Sequence, residues 1–187
     1  MRKIIVYIAT SADGYIARLD GDVRWLDRPR TAGDYGMREF YNSVDTVLMG
    51  RKTYDIALKF GQKSYAGKEN YIFSRSPHRS RVSNVEFVSE GVGEFPRRLR
   101  SAPGKDIWLV GGGELIAAFL DAGQIDEFII HAIPTLIGEG IPLIHPRHRL
   151  VPLDLLASQA YSDGVMRLHY AVQRQAPGKT MPKTSKG

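Results

Sequence analysis

The chain reads as an α/β protein: a mostly parallel central sheet, helices on both faces, and an antiparallel hairpin at its C-terminal end. Three observations predict this. Strand-like runs alternate with amphipathic helical stretches as far as residue 122. Runs such as Ile107-Trp108-Leu109-Val110 are apolar without interruption, as strands covered on both faces are. Asp163-Gly164 separates two alternating runs and marks a tight turn between antiparallel strands.

The elements follow in order. Lys3–Ala9 is the first strand, and the amino end from Met1 to Ala9 reads as a strand rather than a signal peptide. Tyr35–Ser43 has helical spacing and Thr46–Met49 is the second strand. A helix over Thr53–Phe60 and a strand over Asn70–Ser74 come next. Gly93–Ser101 is helical, Asp106–Val110 a strand, Glu114–Ala122 a helix and Glu127–Ala132 a strand. Asp154–Tyr161 and Val165–Gln173 form the closing hairpin. No repeat or second domain interrupts this order, so residues 1–173 read as one domain and 174–187 as a disordered basic tail.

Composition narrows the function. The 187 residues are 43% hydrophobic and 25% charged, ordinary for a globular domain. No apolar run is long enough to span a membrane, and there is no cysteine, which excludes disulfides and thiolate chemistry and fits a cytoplasmic location. The net charge of +6 is misleading. The tail holds four cations and no acid; removing those four from 26 leaves 22 against 20 acids, or +2 for the body. The body shows no basic segment interleaved with aromatics, so nucleic acid is not an expected partner.

In open α/β sheets ligands bind beyond the carboxyl ends of the strands. Four strand ends here carry unusual residues. The first runs into the small-residue loop Ala9-Thr10-Ser11-Ala12-Asp13-Gly14-Tyr15-Ile16-Ala17. The second ends in Gly50-Arg51-Lys52-Thr53, a glycine and two cations where strand becomes helix. The third ends in Ser74-Arg75-Ser76. The run Trp108-Leu109-Val110 passes through Gly111-Gly112-Gly113 into a helix, removing every Cβ where a phosphate could meet free N–H groups. A dinucleotide with a 2′-phosphate suits such ends. The Rossmann fingerprint is absent, because Ile116 stands where its last glycine belongs.

The segments ATSADGYIA, VLMGRKTYD, NYIFSRS and LVGGGELI, in that order, resemble the dihydrofolate reductase superfamily. The similarity is greatest to small bacterial proteins grouped with the reductase domain of the riboflavin deaminase-reductase, and extends from Lys3 to Gln173. The resemblance implies a three-layer fold and NADPH as cofactor. Ala9, Ile16 and Ala17 would lie along the nicotinamide, under a lid running from Thr10 to Trp25. Gly50, Arg51, Lys52 and Thr53 would hold phosphate, Ser74 and Arg75 the 2′-phosphate. Gly111, Gly112, Gly113, Glu114, Leu115 and Ile116 would hold the pyrophosphate, with the Gly111–Gly112 peptide cis.

On the substrate side the family pattern is broken. Asp34 stands where dihydrofolate reductases carry their one buried acid, and among Trp25 and Phe40 it would have a raised pKa; equally, it could be a helix cap. Lys68 falls where folate enzymes have a carboxylate-binding arginine, and Ile130 replaces the threonine that partners the acid. The riboflavin-pathway pattern is broken too, at Val110, at Asp55-Ile56-Ala57-Leu58 and near Tyr41. The leading expectation is an NADPH-dependent reductase of a C=N bond in a pterin or related pyrimidine heterocycle. The alternatives are the 5-amino-6-(5-phosphoribosylamino)uracil reductase of riboflavin biosynthesis and a non-catalytic NADP(H)-binding protein. His145 and His148 lack the neighbouring ligands a metal needs, and His131 reads as a hydrogen-bonded structural residue. The apolar segment 134–143 either packs on its own sheet or joins two copies in a homodimer, the latter expected from the relatives.

Overall fold

The computed structural model describes residues 1–29, 32–76 and 78–174. The tail expected to be disordered therefore lies outside the described residues from 175 onward. The central sheet has eight strands among these residues: β1 (Ile4–Ser11), β3 (Val44–Gly50), β4 (Glu69–Phe73), β5 (Val85–Val88), β6 (Asp106–Gly111), β7 (Glu127–Ile133), β9 (Leu153–Ala160) and β10 (Met166–Val172). Their order is β5-β4-β3-β6-β1-β7-β10-β9. All neighbours are parallel except β7–β10 and β10–β9, which are antiparallel. A separate two-stranded ribbon pairs β2 (Tyr15–Ala17) with β8 (Ile141–Pro142).

Four α-helices among the described residues cover the sheet: α1 (Met37–Ser43), α2 (Arg51–Lys59), α3 (Glu94–Ser101) and α4 (Gly113–Asp121). The uninterrupted apolar strands separate two cores by alternation, since successive side chains point to opposite faces. Ile4, Val6, Leu109 and Phe128 pack with Phe95 and Phe119 of α3 and α4 on one face. Ile5, Tyr7, Trp108 and Ile129 pack with Phe40 of α1 and Tyr54 of α2 on the other. No helix among the described residues is long and apolar enough to cross a membrane.

The hairpin closes at Asp163-Gly164, where Gly164 takes φ 86° and the Tyr161 N–H donates to the Val165 carbonyl. Three strands lie outside the sequence expectation. β5 has only four residues, and β2 and β8 are shorter still. Helix α1 begins at Met37 rather than Tyr35, because Tyr35 and Gly36 both have positive φ, 55° and 83°. The segment 134–143 packs on its own sheet and ribbon. Ile137 is buried, and the Asp13 carboxylate accepts from the N–H groups of Ile137 and Gly138; Leu136 stays exposed.

Candidate active site

Parallel pairing brings the carboxyl ends of β1, β3, β4 and β6 to one edge of the sheet, and there a cleft of about 980 Å3 opens. Ile8 and Ala9 of β1 form its floor beside Val110 of β6. Ile16 and Ala17 of β2 form one wall, continued by Leu19, Gly21, Val23 and Leu26 of the loop that follows. That loop reaches across the cleft: a Cβ on Gly21 would sit 2.5 Å from Ile56 Cδ1 of α2.

Helices α2 and α4 both point their N-terminal turns into the cleft. Gly50 and Gly112 stand at their N-cap positions, and as glycines neither caps the helix with a side group. The first N–H groups of both helices therefore face the cleft. The glycines here meet backbone or polar neighbours. A Cβ on Gly113 would lie 2.3 Å from the Pro142 carbonyl oxygen, and one on Gly112 would lie 3.1 Å from Thr53 Oγ1. The Gly111–Gly112 peptide is cis, as the resemblance implies. At the rim, Lys52 Nζ donates to Glu114 Oε1 at 3.0 Å and holds the Glu114 carboxyl below its usual range. Arg51 pairs with Asp55 at 2.7 Å and stacks on Phe87. The Lys52–Glu114 pair is largely solvated and the Arg51–Asp55 pair is partly so, so either cation can exchange its carboxylate for a phosphate at modest cost. Ser74 and Arg75 line the cleft at the end of β4.

Most residues expected to touch a cofactor therefore share one cleft: Ala9, Ile16, Ala17, Gly50 through Thr53, Ser74, Arg75 and Gly112 through Leu115. Three do not line it. Ile116 is fully buried beneath it, Gly111 is buried in β6, and Trp25 falls between the lining residues Val23 and Leu26. Sequence reasoning passed over the loop Val88–Val92, Gly140–Pro142 and His145, which complete the wall. Gly91 and Gly93 after β5 were the available signal, obscured because β5 is too short to register as a strand.

The substrate-side residues are elsewhere. Asp34 requires a correction: it is exposed, and its carboxylate accepts from the N–H groups of Gly36 at 3.0 Å and Arg38 at 3.1 Å. Those backbone bonds, to Gly36 and then Arg38, lower its pKa instead of raising it. It caps α1. Lys68 Nζ is engaged by the carbonyls of Tyr41 and Val44, both at 2.7 Å, and lies 4.2 Å from the Tyr41 ring. Ile130 packs against the core cluster of Phe119 and Phe128. None of the three lines the cleft. Among the described residues, no three His, Asp or Glu side chains gather to hold a metal.

A different group adjoins the cleft floor. Tyr7 and His131 have ring centroids 4.8 Å apart. The Tyr7 hydroxyl and His131 Nε2 both donate to the carbonyl of Tyr35, at 3.2 and 3.1 Å. Burial lowers the His131 pKa and pushes Tyr7 up to about 12, with Arg167 close enough to act on both.

The sheet order, the glycine-rich helix starts and the cleft define a dihydrofolate reductase-like α/β protein. Residues 93–167 match the family model of the RibD C-terminal domain. The chain is 41% identical over 170 residues to the uncharacterized protein YwjB of Bacillus subtilis, covering 90% of this chain and 97% of YwjB. The chain belongs to the family of YwjB, and its own RibD C-terminal domain match and its fold are of the dihydrofolate reductase-like kind. A candidate riboflavin biosynthesis protein from Shewanella sp. PV-4 superposes with a TM-score of 0.83 at 28% identity, over 92% of this chain and 99% of that one. A Thermotoga maritima diaminohydroxyphosphoribosylaminopyrimidine deaminase/5-amino-6-(5-phosphoribosylamino)uracil reductase shares the fold, with a TM-score of 0.71 at 16% identity. That match covers 92% of this chain and 57% of the longer protein.

Proposed function

We propose that this protein is an NADPH-dependent reductase of the riboflavin-pathway type, acting on an aminopyrimidine that carries a phosphoribosylamino group. One observation carries the reading: two uncapped helix N-termini, α2 and α4, open into one cleft whose rim holds Arg51, Lys52 and Arg75. That donor set fits a dinucleotide pyrophosphate and an additional phosphate. The likeness to the Shewanella protein and the RibD C-terminal domain favours the riboflavin-type substrate over a pterin. The broken folate pattern points the same way, with Asp34 exposed and Lys68 engaged by backbone carbonyls.

NADPH held here would supply a hydride to the carbon of the C=N bond that forms when the sugar of the phosphoribosylamino group opens, with the proton for the nitrogen coming from water. The protein contributes alignment and the exclusion of water. Ala9, Ile16 and Ala17 give the ring an apolar bed, and the loop from Leu19 to Leu26 covers it. The α2 and α4 N-termini anchor the phosphates. A non-catalytic NADP(H)-binding reading has one observation in its favour, the absence of the expected acid from the cleft. Turnover decides between them. Purified protein with NADPH and 5-amino-6-(5-phosphoribosylamino)uracil is expected to consume nicotinamide absorbance. Consumption with dihydrofolate alone would overturn the substrate assignment, and consumption with neither would leave the binding-protein reading.

A further inference from the structure

We propose that Tyr7, His131 and Arg167 form a subsite for the anionic group of the substrate, a phosphate monoester or a carboxylate, beside the floor of the cofactor cleft. As the substrate half of the reductase, this subsite rests on the function proposed above.

The placement follows from register. Parallel pairing of β1 with β7 sets Ala9 opposite His131, and antiparallel pairing of β7 with β10 sets Arg167 opposite His131. Alternate residues of a strand share a face, so Tyr7, Ala9, His131 and Arg167 all project from the same side of the sheet. Ala9 lines the cleft, so the group begins where the cleft floor ends.

The chemistry follows from hydrogen bonding. The Tyr7 hydroxyl and His131 Nε2 are both donors, and both converge on one oxygen, the carbonyl of Tyr35. Arg167 Nε is buried with no partner, and its guanidinium forms no hydrogen bond or ion pair with a described residue. The nearby acids are engaged elsewhere. The Asp163 carboxylate takes the Tyr35 hydroxyl and the Val165 N–H, and Asp34 takes the backbone of α1. A half-buried guanidinium without a counter-charge is costly, and such groups concentrate at binding sites. Two neutral donors that share one carbonyl as their present acceptor, with an unpartnered cation alongside, are what an incoming anion requires. The anion would take the place of the Tyr35 oxygen.

A binding role and a structural one lead to different outcomes. A structural arginine stabilises the fold through its partners; here there is no described partner to lose. Arg167→Met is therefore expected to keep or raise the Tm, because it removes an unpaired charge. The test is calorimetric titration of the full-length protein, with and without saturating NADP+, using two probes: ribose 5-phosphate and N-(4-aminobenzoyl)-glutamate. The expected result is that one probe binds the wild type, and which one binds tells phosphate from carboxylate. Arg167→Met should weaken that probe about tenfold or more, as loss of a charged hydrogen bond does, with NADP+ affinity unchanged. Arg167→Lys should fall between them. If neither probe binds, or if Arg167→Met leaves probe affinity intact, the subsite is overturned. A parallel loss of probe binding, NADP+ binding and Tm would also overturn it, in favour of a structural role. Failure of the wild type to bind NADP+ would instead sink the proposed function, and the titration without nucleotide would still test the subsite.

Discussion

Single residues at the helix starts do most to shape the cleft. Gly113 faces the Pro142 carbonyl at a distance that admits no Cβ. Gly113→Ala should force the start of α4 and the β8 segment apart, costing about 1–3 kcal/mol as overpacking does, and weakening NADPH. Gly93→Ala, where a Cβ meets nothing within 4 Å and φ is −93°, should change neither property. Equal behaviour of the two variants in thermal melts and nucleotide titration would contradict this assignment. His131 offers a second test, by pH. Burial, and then Arg167, lower its pKa against the hydrogen bond to the Tyr35 carbonyl, with Tyr7 packed alongside. Its folded pKa thus lies below the unfolded value of about 6.5, so in that window the unfolded state holds the extra proton. Stability should fall as pH drops below about 6.5. His131→Gln, which keeps an N–H donor, should flatten that part of the Tm profile. Asp34 shows what residue type alone leaves open. An aspartate ahead of a helix suits both a buried acid and a cap, and the choice depends on the two positive φ values that follow it, which turn its carboxylate onto the Gly36 and Arg38 N–H groups.

At the scale of elements, the legible parts are those whose pattern is long or whose junctions are chemically marked. The runs in β1, β6 and β7 are apolar enough to identify strands covered on both faces, and the glycines at 50 and 111–113 mark strand-to-helix junctions. The hairpin follows from Asp163-Gly164. What escaped was short or set by distant contacts. β5 spans four residues, and β2 and β8 pair with each other although more than a hundred residues separate them. The parts of the wall built by β8 and by the loop after β5 were therefore illegible, although the floor, Ile16 and Ala17 of β2 and the glycine-marked helix starts were not. The Tyr7, His131 and Arg167 group was illegible for the same reason. Its members come from three strands, and register alone brings them together.

For the whole molecule, stability should reside in the sheet between its two helical layers. Leu109, fully buried in β6, packs in the cluster of Ile4, Phe95 and Phe119. Leu109→Ala should cost about 2–5 kcal/mol. β9, at the far edge, is exposed along its entire length, and Leu155 is 58% exposed. Leu155→Ala should change stability by only about 0.5 kcal/mol. Urea denaturation of the two variants checks the contrast, and similar losses would show that the edge carries more of the fold than its exposure implies.

The central claim is that this cleft holds NADPH, with Ser74 and Arg75 reading the 2′-phosphate. The most direct measurement is the Kd of NADPH and of NADH for the wild type and for Arg75→Ala. NADPH should bind the wild type more tightly than NADH by about tenfold or more, as a charged contact supplies. Arg75→Ala should lose most of that preference while NADH affinity holds. Equal affinity for the two nucleotides, or a preference that survives in Arg75→Ala, would contradict it.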